Sequence, residues 1–255
     1  MTAKNILPNF LLGVKEAMAS FKLMTQPKVR LFIIIPLLIN ILVFALLFYY
    51  FAQYGAAKLS FLTSHSLPSW LSWLEGILSY IKTFLLMLYL GILLTVFTIL
   101  ATLCANIIGA PFNGMLSEAY STALGHKPPF VKFWPMVGKS LLREMIKFFY
   151  YLPRGILLVV CAGIFYFIPI LNLTIPVLFL WFSSWMLAVQ YIDYPADNDQ
   201  IAFSDLLNKM KANRAVLLGF GLTFTLLCTI PIVNLFVMPA AVLGATKMWH
   251  QTIKS

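Results

Sequence analysis

Four stretches of the sequence contain no Asp, Glu, Lys or Arg, and each is long enough to cross a lipid bilayer. They cover residues 31–57, 83–117, 155–192 and 215–246. About 20 consecutive apolar residues cross roughly 30 Å of hydrocarbon as a helix. Because backbone groups in lipid must pair within their own segment, runs this long indicate helices and not barrel strands. The sequence therefore predicts an all-α integral membrane protein forming one membrane domain, residues 1–255.

Composition and the placement of charge agree with this class. The chain is 61% hydrophobic and 10% charged, with a mean hydropathy of +0.90, whereas soluble domains are roughly 25% charged. Lys and Arg lie between the runs: five in 1–30, two in 58–82, six in 118–154, three in 193–214 and two in 247–255. The positive-inside rule then predicts that both termini are cytoplasmic and only 58–82 lies outside. The net charge of +10 sets orientation, and we expect no nucleic-acid partner.

The first half of the chain predicts two long transmembrane helices, 31–57 and 83–110. The second is expected to bend at the inner face, where Gly109, Ala110 and Pro111 interrupt the run. Residues 4–24 and 136–152 predict amphipathic helices at the lipid surface.

The 136–152 helix carries a basic stripe. Lys139, Arg143 and Lys147 recur at i, i+4 and i+8. Two interpretations of this stripe remain open: the side chains face solvent and lipid head groups, or they attract anions.

A proline motif recurs in the last third of the chain. IPILNLTIP (168–176) reappears as IPIVNLFVMP (230–239), each in the middle of a charge-free run. The flanking arms in 155–192 are roughly 21–24 Å long at 1.5 Å per residue, short of the hydrocarbon thickness. Four thin or tilted spans fit this pattern, as do two short re-entrant hairpins, 155–192 and 215–246. We favour re-entrant hairpins, because paired proline-interrupted segments are typical of transport sites.

The hairpin tips have the chemistry of an anion path. Pro176 and Pro239 suit the first turn of each second arm, which would direct unpaired N–H groups and the positive helix dipole at the tip. Asn172, Thr174 and Asn234 are the candidate polar residues of this conduction path. The alternative is that Pro-x-x-Asn only forms and caps a tight turn.

The sequence offers no reaction chemistry. It lacks a phosphate-binding G-x-x-x-x-G-K-[ST], a G-x-S-x-G and an H-E-x-x-H motif. His65, His126 and His250 are scattered and are interpreted as surface residues. We therefore expect no enzyme, no cofactor and no metal. Because no Asp or Glu lies within a charge-free span, passive or channel-like flux is favoured.

Several motifs resemble the CysZ family of bacterial sulfate permeases, over residues 25 to 249. They are NIIGAPFNGMLSE (106–118), YLPR (151–154), WMLAVQY (185–191), DYPADN (193–198) and TIPIVNLFVMP (229–239). The resemblance implies a multi-pass protein of the bacterial inner membrane that imports sulfate for assimilation into cysteine, with sulfite or other oxyanions as further substrates. It also implies two long spans, two hemi-penetrating hairpins, contact with lipid and homo-oligomers. Oppositely oriented protomers are associated with the family, but the strong Lys/Arg bias does not fit them.

The resemblance also implies a sulfate-binding loop before the first span, where the family has two consecutive arginines. Arg30 matches the first of them, and Leu31 stands in place of the second. Lys28 and Gln26 are the other candidate ligands, although lysine lacks the bidentate fork of a guanidinium. The alternative is that Lys28 and Arg30 only anchor the chain topologically.

An inner-face network is the last predicted site. The acidic loop 193–199 is expected to pair with arginines and to hold the hairpins to the inner-face helices. The residues assigned to this network are Asn113, Glu118, Arg143, Arg154, Asp193 and Asp197. A different class of function, a non-transporting scaffold or accessory subunit of sulfur assimilation, stays open, and co-purification of a fixed partner would indicate it.

Overall fold

The computed structural model describes residues 5–63, 75–129 and 131–254, and these residues form helices and connecting turns without a strand. The predicted all-α class is confirmed. The helices are α1 (Ile6–Leu23), α2 (Pro27–Thr63), α3 (Glu75–Ala123), α4 (Phe133–Tyr166), α5 (Pro169–Asn172), α6 (Ile175–Asn198), α7 (Phe203–Ala212), α8 (Arg214–Leu227) and α9 (Pro231–Met248), followed by a π-helical turn (Trp249–Ile253). Lys4, His65, Pro68, Trp70 and Trp73 lie outside the described residues.

Four segments within the described ranges are long and apolar enough to cross a membrane. They are Val29–Gly55, Ser79–Ala101, Trp134–Tyr166 and Pro169–Asn198. Most of their apolar side chains are exposed or half-buried in the isolated chain, except near the end of the last segment, where most of residues 188–196 pack in the core. Such surface is stable only in lipid or against another protein. By contrast α8, Arg214–Leu227, is apolar but only 14 residues long.

The chain divides into two compact units. The first contains the segment up to Ile34 and the residues from Ala110 onward, and the second contains the residues from Ile35 to Gly109. In the second unit, α2 packs on α3 through edge-to-face aromatic pairs. The ring of Phe97 lies 6.2 Å from Phe48 and 5.5 Å from Phe51 between centroids.

The core of the first unit is built from α1, α6, α8 and α9, and α8 passes between α1 and α6 at very close range. A Cβ at Gly219 would overlap the carbonyl of Phe10 in α1, and a Cβ at Gly221 would overlap the carbonyl of Ser184 in α6. A Cβ at Gly13 of α1 would likewise overlap the carbonyl of Val216. Residues without side chains let helix backbones approach closely, which is how membrane helices commonly associate.

The surface helix α1 therefore has two different faces. Gly13, Ala17 and Ser20 are buried against the core, while Leu7 and Met18 are exposed. The apolar residues of the amphipathic helix predicted over residues 4–24 are therefore divided between the buried face and the exposed face. Its exposed part remains available to lipid.

Two predicted boundaries differ in the structure because helices continue through prolines. Residues 136–152 and the arm 155–168 were predicted as separate elements, but α4 runs through Pro153 from Phe133 to Tyr166. Likewise α3 does not end at Pro111 and continues to Ala123. A proline removes one backbone hydrogen bond, and apolar helices tolerate this because their other backbone groups have no water with which to pair.

The two copies of the proline motif begin alike and then diverge. Ile168 and Ile230 are both extended (φ −111°, ψ 107° and φ −96°, ψ 109°), as residues before proline commonly are. In the first copy the helix stops after one turn, because Pro176 has no N–H for the carbonyl of Asn172. In the second copy the proline falls one residue later, at Pro239, and the helix continues.

The predicted start of the last arm is consequently wrong. Pro231 is the first residue of α9, and Pro239 lies inside that helix. The first-turn position removes no hydrogen bond, since the N–H there is unpaired in any helix. In the first hairpin, Pro176 does lie in the first turn of the second arm, α6.

Candidate functional site

The basic stripe of α4 faces the acidic end of α6 in the first unit. Lys139, Arg143 and Lys147 are one helical turn apart, which places them on one side of α4. Together with neighbouring acids, amides and a tyrosine they form what we call the α4–α6 polar cluster. Its members are Lys139, Arg143, Glu144, Lys147, Gln190, Asp193, Tyr194 and Asp197. It contains three cations and three carboxylates, so its formal charges balance.

In the outer part of the cluster, two sets of ion pairs connect α4 to α6. Lys139 Nζ lies 3.2 Å from Asp197 Oδ1 and donates to the Asp197 carbonyl at 2.9 Å. Arg143 Nη2 lies 2.8 Å from Asp193 Oδ1, and Arg143 Nε donates to the same oxygen at 2.8 Å. Arg143 also donates to the carbonyl of Ile201 at 3.1 Å. The cations of the stripe are therefore paired with carboxylates, and Arg143 is largely shielded from solvent while Lys139 remains partly exposed.

The inner part of the cluster holds a buried lysine between two carboxylates. The side chain of Lys147 is 1% exposed, and its Nζ lies 2.6 Å from Glu144 Oε1 and 3.4 Å from Asp193 Oδ2. The ammonium group also lies 4.6 Å from the centre of the Tyr194 ring. A buried cation needs such partners, because water no longer offsets its charge.

Tyr194 joins this cluster to α3. Its hydroxyl donates to Glu144 Oε1 at 3.3 Å and accepts hydrogen bonds from Gln190 at 3.0 Å and Asn113 at 3.2 Å. One helical turn away, Asn198 donates to the carbonyl of Gly114 at 2.9 Å. The end of α3, the middle of α4 and the end of α6 are thus connected by one hydrogen-bonded network.

A small cavity of about 30 Å³, part of it open to the outside, lies against the cluster. The cations Lys139, Arg143 and Lys147 line it, as do Glu118 and Glu144. Burial raises the pKa of the Glu118 carboxyl above its ordinary value. The cavity wall thus presents several hydrogen-bond donors to a space that is partly shielded from water.

Most of the predicted inner-face residues meet here, but Arg154 does not. Arg143, Asp193 and Asp197 belong to the cluster, Glu118 borders its cavity, and Asn113 donates to the cluster residue Tyr194. The exposed guanidinium of Arg154 instead stacks 3.7 Å from the Tyr150 ring centre and donates to the Tyr150 carbonyl. Arg154 lies two helical turns beyond Lys147 on α4, where its partners are an aromatic face and a backbone carbonyl.

Three cluster members were missed from the sequence: Glu144, Gln190 and Tyr194. The spacing of these residues along the sequence could have indicated them. Gln190, Asp193 and Tyr194 fall at i, i+3 and i+4 at the end of an apolar run, so they share one helix face. Glu144 stands three residues before Lys147, a separation at which helical side chains meet.

The candidate sulfate-binding residues lie in a turn between α1 and α2. α2 begins at Pro27, and Gln26 is half-buried just before it. Arg30 is exposed, and its Nε donates to the carbonyl of Thr25 at 3.1 Å. Val29 between these residues is fully buried and packs in the core. The side chain of Lys28 is not among those described.

The predicted hairpin-tip residues are exposed in the isolated chain. Asn172 ends the single turn α5 and Thr174 precedes α6, where its hydroxyl donates to the Leu171 carbonyl at 2.6 Å. Asn234 lies in the first turn of α9, and not before it as predicted. Both N-termini, those of α6 and α9, begin at or just before a proline.

The C-terminal turn brings together two histidines that were interpreted as scattered. The rings of His126 and His250 are stacked, 4.1 Å apart and nearly parallel, and His250 Nε2 shares a 2.9 Å hydrogen bond with Ser121. Beside them, Asp199 accepts from Trp249 Nε1 at 2.7 Å and pairs with Lys254 at 2.8 Å. Burial and the neighbouring His126 lower the pKa of His250.

Comparison with known proteins gives a matching family and similar relatives. Residues 17–239 match the family described as sulfate transporter CysZ/etoposide-induced protein 2.4. A sulfate transporter CysZ of Pseudomonas aeruginosa strain LESB58 is 41% identical to the chain over 233 residues, and one of Pseudomonas paraeruginosa strain PA7 is 42% identical. Each alignment covers 89% of this chain and 90% of the relative.

Proposed function

Because the chain belongs to the family of sulfate transporter CysZ/etoposide-induced protein 2.4, we propose that it is a sulfate permease. The observation that carries this proposal is 41% identity to a sulfate transporter over 89% of the chain. Four helices long and apolar enough to span a bilayer support it. In this proposal the protein lies in the bacterial inner membrane and imports sulfate for cysteine synthesis, acting as a homo-oligomer.

The turn before α2 is the proposed entry site for sulfate. Arg30 is exposed there, and its Nε is held by the Thr25 carbonyl, which leaves the outer guanidinium N–H groups free to face an oxyanion. The turn leads into the N-terminus of a 37-residue helix, whose unpaired N–H groups and dipole favour an anion. Leu31 removes the second arginine of the family pattern, so we expect weaker capture than a paired arginine site gives.

The hairpins provide the proposed path through the hydrocarbon. At 1.5 Å per residue, the 14 residues of α8 reach about 21 Å, less than the roughly 30 Å of hydrocarbon. We expect this second hairpin to re-enter the membrane, with the N-terminus of α9 at its tip. The first hairpin, whose arms are long enough to span, is proposed to re-enter in the same way because its proline motif is similar. Helix ends at the two tips would stabilise a dianion without a buried cation.

Uptake by liposomes tests this function. Proteoliposomes containing the full chain should take up labelled sulfate faster than empty liposomes, and excess unlabelled sulfite or selenate should show which oxyanions compete. Arg30→Gln should reduce uptake at low sulfate concentration. Arg214→Gln, which removes another exposed arginine at the start of a helix, is the matched control and should leave uptake unchanged.

The outcome against this proposal is equally specific. Sulfate uptake equal to that of empty liposomes would contradict a permease. If a fixed cytoplasmic partner then co-purified with the protein, the scaffold function would replace it.

A further inference from the structure

The α4–α6 polar cluster contains a set of donors that converge on one carboxylate at the cavity wall. Lys147 Nζ lies 2.6 Å from Glu144 Oε1, and Tyr194 Oη donates to the same oxygen at 3.3 Å. Gln190 Nε2 lies 3.3 Å from both oxygens of Glu144. An ammonium, a phenol and an amide are therefore directed at one negatively charged group, and each of them is able to donate to any oxyanion.

The two carboxylates beside Lys147 are held very differently. Asp193 is 1% exposed and is fixed by Arg143 at 2.8 Å. Glu144 is 26% exposed, receives no second cation among the described residues and lies at the cavity. Glu144 is thus able to rotate outward while Asp193 stays, and Lys147 would keep one counter-ion throughout.

We propose that the donors around Glu144 form an oxyanion-binding site that the protein's own carboxylate occupies at rest. This inference rests on the proposed sulfate permease function. Sulfate entering the cavity displaces Glu144 and takes its hydrogen bonds from Lys147, Gln190 and Tyr194. With Glu144 turned away, Lys147 is left with Asp193 as its only carboxylate partner among the described residues, and Glu118 is the other carboxyl group at the cavity wall outside the cluster. Glu144 is therefore a competitor that limits how tightly sulfate binds.

The pairing of Lys147 explains why a competing carboxylate such as Glu144 is useful in a transport path. A buried lysine that met sulfate without competition would hold it tightly, and release would become slow. Replacing one anion by another keeps the ammonium paired before and after exchange. The desolvated cation is therefore never left without a partner, a state that is strongly unfavourable.

Sulfate titration of the purified full-length chain tests the site. The Arg30→Gln background removes the proposed entry site from the measurement, and isothermal titration at constant ionic strength gives the affinity. Glu144→Gln removes the competing charge but keeps the shape, so sulfate should bind roughly tenfold more tightly. Gln190→Met removes a donor without adding a charge and should weaken binding several-fold.

Glu16→Gln is the matched control. Glu16 Oε2 also pairs with a lysine, Lys247, at 2.7 Å, and its side chain is 20% exposed. It lies outside the residues that border the cavity, so its removal should leave sulfate affinity unchanged. An increase of equal size in Glu16→Gln would show that only net charge had been measured and would overturn the site.

The remaining outcomes separate this inference from the proposed function. If wild-type proteoliposomes take up sulfate but Glu144→Gln and Gln190→Met leave the affinity unchanged, the oxyanion site is wrong and the permease stands. If Glu144→Gln does not fold, Gln190→Met decides the question alone, and an unchanged affinity overturns the site. Absence of uptake by the wild type would defeat the permease function itself.

Discussion

The carboxylate of Asp193 is almost completely buried and lies between two cations, Arg143 at 2.8 Å and Lys147 at 3.4 Å. Breaking a buried ion pair by removing one partner is costly, because the charge that remains is desolvated and unpaired. An exposed ion pair has much less influence on stability, since water solvates its members after separation. Asp193 and the partly exposed Lys139 provide these two cases within one cluster.

We predict that Asp193→Asn destabilises the protein by about 3–5 kcal/mol. Lys139→Met should cost less than about 1 kcal/mol, because the side chain of Lys139 is 41% exposed. Thermal unfolding in detergent, followed by circular dichroism, measures both. Equal shifts in melting temperature would contradict the difference in burial on which the prediction depends.

The stacked histidines predict a pH dependence of stability. Burial, His126 and Lys254 lower the pKa of His250, and Asp199 opposes them in part. A histidine in the unfolded chain has a pKa of about 6.5, so the unfolded state protonates His250 more readily than the folded state does. The contribution of His250 to stability is therefore complete above pH of about 6.5 and is lost as the pH falls through the lower pKa of the folded state.

Unfolding temperatures at several pH values between about 7.5 and 5 check this sign. The wild type should lose stability as the pH falls, and His250→Asn should lose less, because asparagine does not titrate. A His250→Asn profile parallel to that of the wild type would assign the pH dependence to other groups.

At the scale of elements, the crossings of α8 depend on positions without side chains. We predict that Gly219→Ala destabilises the protein strongly, because the new Cβ would overlap the backbone of Phe10. Gly163→Ala in α4 is the control. A Cβ there meets nothing within 4 Å, and alanine stabilises a helix by roughly 0.5–1 kcal/mol relative to glycine. Opposite signs in the two melting temperatures are the expected result.

The tips of the two hairpins carry a prediction of membrane depth. After Cys104, Cys161 and Cys228 are replaced by alanine, single cysteines at Asn172 and Asn234 should resist a membrane-impermeant maleimide applied to the periplasmic side. A cysteine at Lys211, which the positive-inside rule predicts to be cytoplasmic, should react only after the membrane is permeabilised. Labelling of either tip from outside intact cells would contradict re-entrant hairpins.

The sequence predicted the helices better than their ends. The charge-free runs 31–57 and 83–117 identified the first two candidate spans, because each needs continuous apolar surface. The run 155–192 instead holds parts of two candidate spans, and 215–246 holds none of them. The boundaries at Pro111, Pro153 and Pro239 were wrong, because each of these prolines lies inside a continuing helix. At Pro176 the chain does break, and the Thr174 hydroxyl bonds to the Leu171 carbonyl in the turn just before it.

The candidate site was predictable only in part. The spacing of Lys139, Arg143 and Lys147 placed the cations on one face, and Asp193 and Asp197 were expected to pair with arginine. No sequence pattern places Asn113 of α3 beside Tyr194 of α6, however, since 81 residues separate them. The close packing of α8 between α1 and α6 could not be predicted either, because a glycine in an apolar run does not by itself indicate a helix crossing.

At the scale of the whole molecule, the described residues contain no Asp or Glu within the apolar stretches of α2 and α3 that span. A carboxylate there is the usual element of proton coupling. We predict dissipative flux: sulfate should enter proteoliposomes until the two concentrations are equal, with or without a pH gradient, when no membrane potential is present. Accumulation driven by a pH gradient alone would contradict this.

The short helix α8 also constrains how the protein is made. With 14 residues it is too short to enter the bilayer as an autonomous span, and both of its sides are occupied by backbone, from α1 at Gly219 and from α6 at Gly221. Those two helices precede it on the ribosome. Both helices pack on α8, so a chain truncated after α6 would leave their buried faces without this partner, and such a fragment should be degraded by the quality-control proteases of the cell.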